Sequence, residues 1–98
     1  MTGGEEREMK VEEFARSLGG EKDEKGVWRR GEKVFLVVHG NTIEVRTDEK
    51  LGKLLREKYE SVMLSRYFGK GGVEVVLAGQ LSEEEVLDLV RLGWELSI

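Results

Sequence analysis

The sequence contains no cysteine and no proline, and it has a single histidine. Without cysteine the chain cannot form a disulfide framework, a thiol nucleophile or a thiolate metal site. No apolar run approaches the roughly 18 residues that a membrane-spanning helix needs, so we expect no membrane contact. The first ten residues are acidic and lack an apolar core. We therefore expect no signal peptide and a cytoplasmic location.

The remaining composition is typical of one globular domain that spans residues 1–98, of which 39% are hydrophobic and 37% charged. A chain of this length buries roughly 60 to 65% of its unfolded surface, which is enough for one modest core. The net charge of −4 hides an asymmetry, because residues 26–70 carry 10 basic and 6 acidic side chains. Basic charge is thus concentrated in the middle of the chain, where an anionic partner would bind.

Apolar residues at helical spacing predict a first helix from about Glu5. The stripe consists of Val11, Phe14, Ala15 and Leu18. Gly19 and Gly20 end this helix, because glycine accepts the positive φ of a helix C-terminus. Residues 1–4 have no apolar anchor, and we expect them to be frayed.

Two further helices are predicted in the second half of the chain. Thr47 or Asp48 can cap a helix that runs to about Tyr59 and has a basic exposed side. Ser82 and Glu85 have the spacing of a capping box, which predicts the start of the last helix.

Five segments predict strands, and their order suggests an antiparallel sheet. Val27–Arg30 and residues 33–38 flank a glycine-containing turn and predict a hairpin. Thr42–Arg46 alternates polar and apolar residues, and residues 62–64 and 73–77 are short apolar runs. The sequence thus predicts one α+β domain of order α-β-β-β-α-β-β-α, with helices covering the sheet.

The alternation in the third strand predicts which side chains face the core. Ile43 and Val45 are expected to point inward. The other three residues of that strand are expected to face solvent or a partner: Thr42, Glu44 and Arg46. Between the predicted elements, residues 21–26 form a charged linker and residues 66–72 a loop.

Four blocks along the chain match, in order, the pattern of a known family. They are Lys33-Val34-Phe35, then Leu55-Arg56-Glu57-Lys58-Tyr59 with Val62, then Tyr67-Phe68-Gly69-Lys70, and finally the Glu-rich helix after Gly79 with Leu89-Val90 and Trp94-Glu95-Leu96. On these residues the chain resembles the MmcQ/YjbR family of small bacterial proteins, over about residues 10–98. The resemblance implies a double-wing fold in which β-hairpins meet DNA, and a non-enzymatic DNA-binding or regulatory role.

Seven residues are candidates for binding nucleic acid. Six are cations on or beside predicted strands, which would contact phosphates and give affinity rather than sequence specificity: Arg29, Arg30, Lys33, Arg46, Arg66 and Lys70. The seventh is Tyr67, which together with Trp28 and Phe68 could stack on bases. The alternative is that the cations are solvated or paired with acidic neighbours and that the aromatics belong to the core. We expect Phe68 to be buried and Tyr67 to be partly exposed.

Neither remaining motif predicts catalysis. Gly69-Lys70-Gly71-Gly72 lacks the glycine spacing, the Ser/Thr and the following helix of a phosphate-binding loop, so a flexible hairpin turn is favoured. His39 lies in a predicted turn without an evident partner for acid-base chemistry or zinc binding. We expect no enzyme activity, cofactor or metal. The alternative to nucleic-acid binding is a protein-interaction module or homodimer that uses the Trp94 face or an open sheet edge.

Overall fold

The computed structural model describes residues 3–98, which form three helices and a six-stranded sheet. The helices are α1 (Gly3–Ser17), α2 (Glu49–Lys58) and α3 (Glu83–Leu96). The strands are β1 (Glu21–Lys22), β2 (Val27–Arg30), β3 (Lys33–His39), β4 (Thr42–Arg46), β5 (Val62–Ser65) and β6 (Gly69–Val76). Their spatial order is β1-β2-β3-β4-β6-β5, and all neighbours run antiparallel. The predicted α+β class is confirmed.

The first helix extends further toward the N-terminus than the sequence predicts. Of the segment expected to be frayed, residues 1 and 2 lie outside the described residues, while α1 begins at Gly3. Val11 and Ala15 of the predicted stripe are buried. After the helix, Gly19 has a φ of 106°, which lets the chain turn away from the helix axis.

The other two helices begin at the predicted caps. Asp48 accepts a hydrogen bond from the N–H of Leu51 at 2.8 Å. Ser82 and Glu85 form both hydrogen bonds of a capping box. These side chains satisfy N–H groups that have no partner inside the helix. No helix within residues 3–98 is both long enough and apolar enough to cross a membrane.

All three helices pack on the same face of the sheet. A Cβ added at Gly93 in α3 would lie 3.0 Å from Val45, and one added at Gly52 in α2 would lie 3.6 Å from Val73. Val45 and Val73 are cross-strand partners, so they point to one face. The third helix, α1, packs on α3, and its Val11 belongs to the same core cluster. The opposite face is therefore left without a helix in the described chain.

A β-bulge explains why β3 reads as an unbroken apolar run. Trp28 in β2 pairs with Leu36, but the next residue, Arg29, pairs with Val34. Phe35 is thus the extra residue, and both Phe35 and Leu36 are fully buried. This strand lies between β2 and β4, and its apolar side chains pack on both sides of the sheet.

The segment predicted as a charged linker contains an additional strand. Glu21 pairs with Arg29, and Lys22 pairs with Trp28, so β1 forms one edge of the sheet. The element order is therefore α-β-β-β-β-α-β-β-α, with four strands rather than three after α1. Strand pairing uses backbone groups, so a two-residue charged edge strand leaves no apolar pattern in the sequence.

The loop predicted over residues 66–72 is shorter in the structure. β6 begins at Gly69, and Gly72 pairs with Arg46 of β4. Lys70 consequently lies in a strand rather than in a flexible turn. Three glycines within four residues have low strand propensity, which is why the sequence pattern indicated a loop there.

Replacing Gly93 by alanine tests how closely α3 approaches the sheet. The new Cβ would lie 2.9 Å from the Phe35 carbonyl oxygen and 3.0 Å from Val45. At an exposed helical site this change stabilises by about 1 kcal/mol. Here we expect a loss of about 1–3 kcal/mol in the free energy of unfolding, because α3 must move off the sheet.

Chemical denaturation measures this change, with Glu95→Ala as a control at an exposed position of the same helix. A Gly93→Ala variant that is as stable as the wild type would contradict the close approach of α3.

Candidate functional site

The face without helices carries charged and polar side chains at its centre. Cross-strand pairing places Val37, Glu44 and Glu74 in one row across β3, β4 and β6. We call this surface the helix-free face. By strand alternation it consists of Val27, Arg29, Val34, Val37, His39, Thr42, Glu44, Arg46, Met63, Gly72, Glu74 and Val76.

Glu44 is the centre of a hydrogen-bond network on this face. Its side chain accepts from the Tyr67 backbone N–H at 2.7 Å and from the Ser65 hydroxyl at 2.8 Å. Its second oxygen lies 2.6 Å from His39 Nε2. The prediction that Glu44 faces solvent or a partner was wrong as to solvent, since only 2% of the residue is exposed. Its side chain does point to the face opposite the core, but residues 66–68 cover it there.

The network holds the Glu44 carboxylate in its ionised form. Burial by itself would raise the pKa of this group, but the Tyr67 N–H, the Ser65 hydroxyl and His39 stabilise the charge. The net result is a pKa below the ordinary value of 4.5. The charge therefore stays on Glu44 at neutral pH and fixes the donors around it.

Phe68 seals one side of the network. Its backbone N–H donates to the Ser65 hydroxyl at 2.8 Å, and the Arg46 guanidinium lies over its ring at 5.1 Å. The ring fits because position 72 is glycine, where an added Cβ would lie 2.6 Å from the Phe68 Cβ. Phe68 is half-buried rather than fully buried as expected.

Tyr67 is presented to solvent next to a shallow groove. About half of this residue, 51%, is exposed, in agreement with the prediction, and its ring packs edge-on against Phe68. The groove, of about 440 Å³, is lined by Asp23, Glu24, Lys25, Val27, Arg29 and Tyr67. An aromatic ring beside cations is an arrangement that can stack on a planar group while contacting an anion.

Three of the predicted cations lie on or next to the helix-free face, each with a partner. Arg29 pairs with Asp23 at 2.9 Å, and Arg66 pairs with Glu74 at 3.2 Å. Arg46 donates to the Val34 carbonyl oxygen at 3.0 Å. The Arg66 side chain is nevertheless 77% exposed, so its guanidinium can reach a ligand without leaving Glu74.

The other predicted cations are distributed differently. Lys70 is exposed and lies near the start of β6, two residues after Phe68. Arg30 instead stacks on Trp94 at 4.4 Å and donates to the Trp94 carbonyl oxygen. Lys33 donates to the Ile98 carbonyl oxygen at 2.7 Å. The seven predicted residues therefore divide between two surfaces, and Arg30 covers the Trp94 ring.

Trp28 does not belong to the exposed surface. Only 1% of the residue is exposed, and its indole N–H donates to Glu12. Sequence reasoning missed the roles of Glu44 and Ser65. The alternation in β4 carried no signal for them, because a carboxylate between two inward-facing residues, Ile43 and Val45, is the ordinary pattern of a solvent-facing position.

The polar groups of the network differ in their access to solvent. Ser65 donates its hydroxyl to Glu44 and is only 2% exposed, so it is not accessible to a substrate. His39 is held by Glu44, and its side chain is 41% exposed. Within residues 3–98 no three His, Asp or Glu side chains are grouped so as to hold a metal ion. The hydrogen bonds of the network hold residues 66–68 in place over Glu44.

Replacing Glu44 by glutamine tests the buried charge. Folding lowers the pKa of Glu44, so its stabilising contribution is present above the ordinary value of 4.5 and is lost as the pH falls through the lower folded-state value. At neutral pH we expect Glu44→Gln to lose about 1–3 kcal/mol of unfolding free energy.

Urea denaturation between about pH 6 and pH 2.5 measures both effects. The wild type should lose stability toward low pH more steeply than Glu44→Gln. Glu95→Gln removes the same charge at an exposed position and should retain the wild-type slope. Parallel pH curves for Glu44→Gln and the wild type would contradict the network's role.

Comparison with known proteins establishes the fold alone. No protein-family profile matches the sequence, and no curated protein matches it. A similar structure is the crystal structure of a protein from Pseudomonas syringae, a target of the Northeast Structural Genomics Consortium. The chains are 17% identical, with a TM-score of 0.73 over 94% of this chain and 98% of the other. This chain therefore shares its fold, over nearly its whole length, with that protein.

Proposed function

We propose that the helix-free face binds nucleic acid without catalysing a reaction, and that the chain is a divergent member of the MmcQ/YjbR family. Tyr67 would stack on a base, while Arg29, Arg66 and Lys70 contact phosphates. The observation that carries this proposal is the half-exposed Tyr67 ring, which lines a groove with Arg29, follows Arg66 directly and is held by the bond from its own N–H to the buried Glu44.

The anchoring of residues 66–68 favours binding because this segment is already ordered and loses little conformational entropy when a ligand binds. The Tyr67 and Phe68 N–H groups are both bonded within the Glu44 network. The Tyr67 ring also rests on Phe68, with 5.0 Å between ring centroids. A side chain that is already positioned loses less conformational entropy when a ligand binds. The aromatic platform is therefore preorganised.

Single-stranded nucleic acid suits this surface better than a duplex. Base stacking on tyrosine needs an unpaired base, and stacking gives affinity without sequence readout. The acidic partners of the cations, Asp23 and Glu74, limit the positive potential that a duplex backbone would require. Binding is therefore expected to be modest, dependent on salt and tolerant of sequence.

Fluorescence anisotropy with a labelled single-stranded oligonucleotide tests the proposal. With three phosphate contacts, the logarithm of the binding constant should fall with a slope of about −2 against the logarithm of salt concentration. Alanine at both Arg29 and Arg66 should reduce this slope to roughly −0.7. Tyr67→Ala should lower affinity by about 1–3 kcal/mol and leave the slope unchanged.

Lys33→Ala provides the matched control, because Lys33 is exposed but contacts the C-terminal Ile98 instead of the helix-free face. Its affinity should equal that of the wild type. No binding at about 20 mM salt would overturn the proposal. An equal loss from Lys33→Ala would assign binding to another surface.

A further inference from the structure

We propose that His39 is a fourth phosphate contact of the helix-free face, and that it makes this contact only when its imidazole ring is protonated. The inference rests on the function proposed above and adds a dependence on pH to it. His39 is the last residue of β3, and its pairing with Thr42 places it on the helix-free face. Its side chain is 41% exposed, so a ligand on this face can reach the ring.

Glu44 determines which nitrogen of the ring is available. Its ionised carboxylate lies 2.6 Å from His39 Nε2. An ionised carboxylate has no proton to donate, so the hydrogen of this bond belongs to Nε2. Among residues 3–98, no group forms a hydrogen bond with Nδ1. Nδ1 is therefore the nitrogen that gains the second proton and that faces a ligand.

The charge of the ring decides how Nδ1 meets a phosphate. In the neutral ring Nδ1 is an acceptor, and its lone pair repels a phosphate oxygen. In the protonated ring Nδ1 carries a hydrogen and can donate a charge-assisted bond to that oxygen. Nε2 keeps its bond to Glu44 in both states, so the ring does not have to turn. One proton thus converts a repulsive group into a phosphate ligand.

The His39 ring and the Tyr67 backbone are held by the same carboxylate. One oxygen of Glu44 accepts from the Tyr67 N–H at 2.7 Å, and the other bonds to the ring at 2.6 Å. Only two hydrogen bonds therefore separate the ring from the residue proposed to stack on a base. A strand whose base rests on Tyr67 has its flanking phosphates within reach of His39.

His39 is the group on this face whose charge changes between about pH 8 and pH 5.5. An imidazole ordinarily titrates in this range, whereas carboxylates, lysines and arginines titrate outside it. The pKa of Glu44 lies below 4.5, so its charge is present throughout. The neighbouring elements contribute further carboxylates and cations: Asp23, Lys25, Arg29, Arg46, Arg66 and Glu74. Affinity for an anionic strand should therefore rise as the pH falls and the ring gains its proton.

Fluorescence anisotropy at pH 8 and pH 5.5 tests the inference, with an oligothymidylate because its bases do not titrate in this range. At about 50 mM salt the wild type should bind roughly tenfold more tightly at pH 5.5. The salt slope should steepen there by about 0.7, the value of one added contact. His39→Gln keeps an N–H donor for Glu44 but cannot titrate, so its affinity and slope should be equal at both pH values.

A matched control moves the imidazole to the other surface. Lys33→His combined with His39→Gln again leaves one histidine, now beside the C-terminal Ile98 instead of on the helix-free face. This double variant should be as independent of pH as His39→Gln. A pH dependence that returns in the double variant would overturn the inference.

If His39→Gln loses the native circular dichroism spectrum, titration of the ring by NMR in the wild type decides. His39 is the single histidine of the chain, so its ring signals need no separate assignment. The midpoint of its titration should move to higher pH when the oligonucleotide is added, because preferential binding to the protonated ring favours proton uptake. A midpoint that bound oligonucleotide leaves unchanged would overturn the inference.

Two further results would count against His39. They are a wild type that binds equally tightly at both pH values, and a His39→Gln variant that depends on pH as strongly as the wild type. Both would leave the proposed function intact, since the wild type still binds. A wild type that binds at neither pH would overturn the proposed function and this inference together.

Discussion

The buried carboxylate of Glu44 is the constraint on which the helix-free face depends. It joins two parts of the chain that are distant in sequence: the β3–β4 hairpin, which contains Glu44 and His39, and the segment at the end of β5, which supplies the Ser65 hydroxyl and the Tyr67 N–H. A carboxylate removed from water is costly unless several donors surround it. Because those donors come from residues 65–67, ionisation of Glu44 and order in that segment are coupled.

Glycine residues allow close packing on both faces of the sheet. Gly93 and Gly52 let α3 and α2 approach the strands closely enough to bury the core. Gly72 has a different role, since it creates room for Phe68 on the opposite face. The helices thus supply the apolar burial on which folding depends. This leaves the helix-free face able to carry charged groups that a second layer of helices would have covered.

Much of the fold followed from local patterns in the sequence. The stripe from Val11, the Ser82 and Glu85 capping box and the alternation in Thr42–Arg46 each determined an element, because their signal lies within a few residues. β1 and the first half of β6 were missed because backbone pairing holds them while their side chains are charged or absent. The role of Glu44 was missed because the Ser65 hydroxyl and the Tyr67 N–H, which close the network over it, lie 21 and 23 residues away along the chain.

The sequence predicted several residues of the candidate site but not which face of the sheet each one points to. The sequence identified Arg29, Arg66 and Tyr67, which the fold brings to one side of the sheet. It could not separate them from Lys33, because the extra residue Phe35 in β3 reverses the face to which Lys33 points.

The most direct test of the account is to map the binding surface by amide chemical shifts during titration with a single-stranded oligonucleotide. The account predicts that the largest shifts occur at residues 66–68 and in the groove around Val27 and Arg29. Residues 94–98, which lie beside Arg30 and Lys33, should remain unchanged. Shifts confined to residues 94–98, or none at saturating oligonucleotide, would contradict the assignment of function to the helix-free face.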